Sequence, residues 1–73
     1  MESNDARKEV AMILHEAFFK CLEAHRLSIK AVKKALEADD RELVKQVVFI
    51  PHAIAETAQT LGKAYFTVIK MEG

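Results

Sequence analysis

The chain has 73 residues, with 11 basic and 11 acidic side chains and 51% hydrophobic residues. This length allows a single domain over residues 1–73, and the hydrophobic content excludes an intrinsically disordered chain. The balanced charge gives no general attraction to nucleic acid or to an anionic membrane, and a single cysteine excludes a disulfide framework. A domain this small buries little surface alone, so we expect oligomerisation to stabilise it.

The N-terminal stretch MESNDARKE is polar and charged, and it contains no apolar segment typical of a secretory leader. No apolar run approaches the roughly 20 residues that a membrane span needs. The lone thiol fits a reducing compartment. We therefore expect a cytoplasmic protein that does not insert into a membrane.

Two long helices are predicted, joined by a short turn. The stretch SND at 3–5 offers N-cap residues for a first helix over about residues 4–38. Asp39, followed three residues later by Glu42, resembles a capping box that begins a second helix over about residues 40–71. Because the connection is so short, the two helices should be antiparallel neighbours.

Pro51 lies inside the second predicted helix, where its ring removes one hydrogen bond and clashes with the carbonyl of Val47. We predict a kink in one long helix. A break, with Pro51 beginning a third helix, is the alternative, but Ile50 would be a poor N-cap. A buried strand at 47–50, VVFI, is a further alternative, but no second strand is available to pair with it.

Each helix carries two adjacent apolar stripes with alternating spacings of three and four residues. The stripe of mostly small residues on the first helix is Val10, Leu14, Ala17, Cys21, Ala24, Ser28, Ala31 and Ala35. The bulky stripe beside it is Ala11, His15, Phe18, Leu22, His25, Ile29, Val32 and Leu36. The second helix has one stripe of Leu43, Val47, Ile50, Ile54, Thr57, Leu61, Ala64 and Val68, and another of Val44, Val48, Pro51, Ala55, Ala58, Gly62, Tyr65 and Ile69. Such broad faces predict an all-α fold in which two antiparallel hairpins form a homodimeric four-helix bundle.

The predicted oligomer core draws on both helices. It comprises Phe18, Leu22, His25, Ile29, Val47, Ile54, Leu61 and Tyr65. A histidine in such a stripe either fixes register and responds to pH, or turns its ring toward the edge of the face. We expect the edge position for His15, whereas both alternatives stay open for His25.

Cys21 and His25, in the segment KCLEAH, lie one helical turn apart, and a thiolate with an imidazole suits zinc. Folding about Asp39 brings His52 and Glu56 to the same level, which completes the ligand set of a metal- or pH-responsive regulator. However, the helical phase puts His52 and Glu56 on the polar side of the second helix. We therefore expect Cys21 and His25 to be packing residues, and we predict no cofactor.

A basic flank on the first helix is formed by Arg26, Lys30, Lys33 and Lys34. It suggests an RNA-binding hairpin dimer as another alternative. Acidic residues interrupt this flank and the chain is neutral overall, so a solvated surface explains it better, and nucleic acid is not the expected partner.

Three large apolar residues, Met12, Phe19 and Phe49, fall on the polar sides of the helices, where they suggest a site for a partner protein. The sequence contains no glycine-rich phosphate loop and no nucleophile with a matching base, so we do not expect an enzyme. We recognise no family motif in these residues. The sequence therefore predicts a non-enzymatic adaptor or regulator that binds itself and another protein.

Overall fold

The chain folds as a helical hairpin, which confirms the predicted all-α fold. A computed structural model describes residues 2–71, with the side chains of residues 5–71. Helix α1 spans Glu2–Glu37, α2 spans Arg41–Val47 and α3 spans Ile50–Lys70. Both α2 and α3 pack against α1, so together they form the second arm of the hairpin.

Helix α1 is a single element of 36 residues, and its sequence contains neither glycine nor proline. It begins at Glu2, ahead of the residues at 3–5 that were predicted to cap it, so that prediction is wrong. An uninterrupted heptad pattern explains the length, because each added turn extends the apolar surface that faces the second arm.

The turn between the arms ends α1 with a left-handed residue. Asp39 has a φ of 55°, and its N–H donates to the carbonyl of Leu36 at 3.0 Å. The N–H of Asp40 donates to the carbonyl of Ala35 at 3.5 Å. These two bonds form a Schellman motif with aspartate in the position that glycine usually occupies.

The N-cap of α2 is Asp40, whose side-chain oxygen Oδ1 accepts a hydrogen bond from the N–H of Leu43 at 3.1 Å. The predicted capping box between Asp39 and Glu42 is therefore wrong by one residue. Asp39 cannot cap α2 because its left-handed conformation already ends α1, whereas an N-cap residue has extended dihedral angles. Glu42 still lies in the first turn of α2, where the helix dipole favours a negative charge.

The second arm is interrupted at Val48 and Phe49, so the prediction of one continuous kinked helix needs correction. Both residues keep right-handed helical dihedral angles, with φ of −64° and −86°. The hydrogen-bond ladder is broken here because Pro51 has no N–H to donate to the carbonyl of Val47. Helix α3 therefore begins anew at Ile50, with Pro51 in its first turn. The strand alternative is wrong as well, since residues 2–71 contain no strand.

The seam between the two arms lies between the predicted stripes and takes alternate residues from each. On α1 it consists of Ala11, Leu14, Phe18, Cys21, His25, Ser28, Val32 and Ala35. On the second arm it consists of Val44, Val47, Pro51, Ile54, Ala58, Leu61, Tyr65 and Val68. All of these side chains are buried or half-buried, and their spacing alternates between three and four. The other members of each stripe are left on the two flanks of the hairpin.

The hairpin has little interior. Among residues 5–71, only Ala11, Ala35 and Ala58 are buried hydrophobic residues, and no large side chain is fully buried. The Cα positions extend over 57 × 14 × 12 Å with a radius of gyration of 16.9 Å. A compact domain of this length has a radius of gyration of about 11 Å. Two helices side by side cannot enclose a core, so the apolar flanks face solvent.

Candidate functional site

One flank of the hairpin, which we name the broad face, consists of two rows of side chains. Each position directly follows a seam position, which places both rows on the same flank. The row on α1 is His15, Leu22, Ile29 and Leu36, and the row on the second arm is Val48, Ala55, Gly62 and Ile69. Three of the four residues in the first row are large and apolar, whereas the middle of the second row is small.

The rim of the broad face differs between the two halves of the hairpin. The open half, which contains the first residues of α1 and the last residues of α3, has the apolar rim residues Met12, Phe19 and Phe66. The half next to the turn has the rim residues Arg26, Lys33, Lys45 and His52. The rim is therefore apolar at the open end and basic at the turn.

The opposite flank, which we name the narrow face, is less apolar. Fourteen large hydrophobic side chains are exposed among the described residues. Five of these lie on the narrow face, namely Val10, Ile13, Leu27, Leu43 and Met71. Eight belong to the broad face or its rim, namely Met12, Phe19, Leu22, Ile29, Leu36, Val48, Phe66 and Ile69. Phe49 lies apart from both groups, so the broad face is the main apolar surface of the chain.

Aromatic side chains form a cluster where the broad face reaches the open end. The ring of His15 lies 4.8 Å from Phe19 and 5.6 Å from Tyr65, measured between centroids. Tyr65 is in turn 5.5 Å from Phe66, and Phe18 is 5.8 Å from Phe19. These five rings and Gly62 line a shallow cleft of about 200 Å³.

The sequence pattern did not predict this aromatic cluster. The edge position expected for His15 matches its exposure. Its contact with Tyr65, however, depends on which members of the stripes face each other. The recurrence of aromatic residues near both termini was the one available signal, since the ends of a hairpin come together.

The eight residues predicted as oligomer core divide between two places. Six of them lie in the seam, half-buried between the arms, namely Phe18, His25, Val47, Ile54, Leu61 and Tyr65. Leu22 and Ile29 lie on the broad face, and each is 41% exposed. The hairpin alone therefore leaves part of the predicted core uncovered.

The three side chains predicted to bind a partner are exposed, but the structure does not bring them together. Met12 is 71% exposed and Phe19 is 55% exposed, and both lie on the apolar rim. Phe49 is 62% exposed at the junction of α2 and α3 on the other arm. Met12 and Phe19 can therefore form one surface, whereas Phe49 belongs to another.

The four predicted metal ligands are divided between the seam and the outer surface. The thiol of Cys21 lies in the seam and donates to the carbonyl of Ile54 at 3.4 Å. His25 is half-buried in the same seam, and its carbonyl accepts a hydrogen bond from the hydroxyl of Ser28. The remaining two residues, His52 and Glu56, pair on the solvent side at 3.3 Å between Nε2 and Oε2. Within residues 2–71, no three His, Cys, Asp or Glu side chains are grouped so as to hold a metal ion.

The basic flank predicted for RNA is exposed along the half of α1 next to the turn. Arg26, Lys30 and Lys33 face solvent, while Lys34 lies 3.8 Å from Glu37. An exposed pair of this kind contributes less than about 1 kcal/mol to stability. The flank is thus a solvated surface in the hairpin, with one of its four cations paired.

None of the helices described between residues 2 and 71 is both long enough and apolar enough to cross a membrane. Searches of protein-family models, of curated proteins and of solved structures found no match for this chain. Function is therefore inferred from the geometry of the hairpin.

Proposed function

We propose that this chain is a non-enzymatic interaction protein, an adaptor or regulator that acts as a homodimeric four-helix bundle and binds a further protein. The observation that carries the proposal is the distribution of apolar side chains. Three alanines are the only buried hydrophobic residues between positions 5 and 71, while fourteen large hydrophobic side chains are exposed. A two-helix chain this open has little burial with which to offset the entropy of folding, and a second hairpin would supply it.

A further partner is proposed to bind at the apolar rim. Aromatic anchors contribute a large share of the energy of protein interfaces, and Phe19 lies on this rim two helical turns after Met12. The rim positions lie at the outer edge of the broad face, so part of their surface stays accessible when a second hairpin covers the rows. Phe49, on the other arm, is proposed as a separate contact.

Sedimentation equilibrium at micromolar concentration tests the self-association. We expect a dimer that melts cooperatively. A well-folded monomer with a cooperative melting transition would refute the proposal, because it would show that the hairpin is stable without further burial.

A pull-down from the native host tests the second partner. The double variant Met12→Lys, Phe19→Lys should lose a protein that the wild-type chain captures, while its dimer and its melting temperature change little. Surface substitutions usually alter stability by no more than about 0.5 kcal/mol. Leu27→Lys, an exposed change on the narrow face, is the matched control and should keep the captured protein. Dissociation of the dimer by the double variant would instead place Phe19 inside the self-association interface.

A further inference from the structure

We infer that the broad face is the surface through which two copies of this chain associate, and that Gly62 keeps room on it for a helix of the second copy. This inference rests on the proposed function. It specifies which flank of the hairpin associates, that a second copy of the chain covers it, and how the rows of the two copies face each other. Three observations carry it: the surface area of the hairpin, the conformation and surroundings of Gly62, and the unequal size of the two rows.

The accessible surface of the hairpin is too large for a compact monomer. The chain exposes 5819 Å². A compact monomer of 8.2 kDa exposes about 4,500 Å². Two separate hairpins would expose about 11,600 Å², whereas one compact particle of twice the mass exposes about 7,500 Å². The difference of about 4,100 Å² lies within the range of about 2,000–5,000 Å² that obligate dimer interfaces bury.

The broad face is the more apolar of the two flanks. Without the rim, which is proposed to stay accessible to a further partner, its rows carry five exposed large hydrophobic side chains, namely Leu22, Ile29, Leu36, Val48 and Ile69. On the narrow face, the two matching rows, which start at Val10 and at Leu43 and repeat every seven residues, carry two, Val10 and Leu43 themselves. The two rows of the broad face run along both arms, so a second hairpin placed on it would convert two helices into four.

Nothing within a single chain explains why residue 62 is a glycine. It lies inside α3 at a negative φ, where glycine is less favourable than alanine by about 1 kcal/mol. A Cβ at this position would lie 3.6 Å from Cε1 of Phe18, which is an ordinary van der Waals contact. Neither backbone conformation nor packing within the hairpin therefore requires glycine, and the space above it opens onto the broad face.

The unequal rows indicate how two copies fit together. Cys21 contacts Ile54, and the ring of His15 packs on Tyr65, so residues whose numbers sum to between 75 and 80 lie at one level. Leu22 is then level with Ala55, as Ile29 is with Val48 and His15 with Gly62. A two-fold axis parallel to the helices preserves these levels and places the large row of each copy over the small row of the other. Facing large against small residues fills space better than facing equal rows.

The first experiment measures the dimer dissociation constant by sedimentation, with circular dichroism to follow helix content. Leu22→Lys should raise the dissociation constant at least 30-fold, an order of magnitude typical of a buried interface anchor. Leu27→Lys, the same change on the narrow face, should leave it unchanged. If Leu27→Lys dissociates the dimer and Leu22→Lys does not, the inference is refuted while the proposed function stands. A wild-type chain that is monomeric at all concentrations refutes both.

Gly62→Ala provides a test that does not threaten the fold, because alanine favours the helix. We expect helix content to be equal or higher and the dimer dissociation constant to rise about 10-fold, as overpacking of a close contact does. Thr60→Ala, an exposed change on the same helix that also favours helix formation, should leave the dissociation constant unchanged. A Gly62→Ala dimer as tight as the wild type, or tighter, would show that no second helix approaches this position.

Cross-linking tests the arrangement of the rows. Leu22→Cys and Ala55→Cys chains, each also carrying Cys21→Ala, are mixed and oxidised. The disulfide between Leu22→Cys of one chain and Ala55→Cys of the other should form faster than the disulfide between two Leu22→Cys chains. The reverse order would refute the arrangement of large row over small row.

Discussion

The seam, which the hairpin covers, and the broad face, which it leaves open, differ in the size of their side chains. A self-sufficient domain buries its largest apolar side chains, whereas this hairpin leaves several of them on the exposed broad face. On α1 half of the eight seam positions are small side chains, namely Ala11, Cys21, Ser28 and Ala35. The neighbouring row of the broad face holds Leu22, Ile29 and Leu36, all large and partly exposed. Small residues let two helices of one chain approach closely. They bury little apolar area, however, and each Å² of buried apolar surface stabilises the fold by about 25 cal/mol. The seam therefore sets the geometry of the hairpin, whereas the broad face holds large apolar side chains that a single hairpin leaves uncovered.

The largest expected effect comes from a truncation on the broad face. Leu22→Ala should lower the free energy of unfolding by roughly 2–5 kcal/mol per chain, because we propose that a second copy buries this side chain. Leu27→Ala on the narrow face, where the side chain is 50% exposed, should change it by no more than about 0.5 kcal/mol. Urea denaturation of both variants at equal protein concentration makes the measurement. An equal loss of unfolding free energy at the two positions would show that the broad face is no more buried than the narrow face.

An enlargement in the seam should have the next largest effect. Ala35 is 1% exposed beside the turn, so Ala35→Leu forces the arms apart and should cost about 1–3 kcal/mol. The control Ala31→Leu, one turn earlier at an exposed position, should be close to neutral. Thermal melting compares the two. If Ala35→Leu is tolerated as well as Ala31→Leu, the seam is looser than its small residues indicate.

Removal of the α2 cap should lower the free energy of unfolding by a smaller amount. It tests whether the turn is held by its own hydrogen bond or by packing of the seam. Asp40→Ala removes the acceptor for the N–H of Leu43 and should cost about 0.5–2 kcal/mol in urea denaturation. Asp40→Asn should restore most of this loss, because asparagine caps helices about as well as aspartate. A neutral Asp40→Ala would mean that packing of the seam alone holds the turn.

The sequence was sufficient to predict the hairpin, the position of its turn to within two residues and the presence of apolar surface on both arms. It could not select the cap between Asp39 and Asp40, because both are suitable N-cap residues and the choice depends on which one takes the left-handed conformation. The sequence favours a kink over the break observed at Val48 and Phe49, because Ile50, the residue before Pro51, is a poor N-cap. The actual cap position, Phe49, makes no side-chain hydrogen bond.

The sequence could not predict which members of the stripes form the seam, and the reason is a different one. Each helix presents two adjacent stripes, and a helix can turn between them by a small rotation without losing apolar contact. The sequence pattern places Phe18 and Leu22 in one stripe of α1, whereas in the structure Phe18 lies in the seam and Leu22 on the broad face. Packing against the other arm fixes the rotation of each helix about its axis. The spacing of apolar residues within one helix does not specify that rotation.

The smallest expected effect is on metal binding, which tests whether the seam is only a packing surface. Equimolar zinc should leave the melting temperature of the wild-type chain unchanged relative to chelator. The thiol of Cys21 already faces the carbonyl of Ile54, and His52 pairs with Glu56 on the outer surface, so one arm would have to rotate to unite them. A ligand present at 100 times its dissociation constant stabilises a fold by about 2.7 kcal/mol, which a melting curve detects readily. Zinc-dependent stabilisation that disappears in Cys21→Ala would show that the seam can open to bind metal, and the small residues along it would then allow movement as well as close packing.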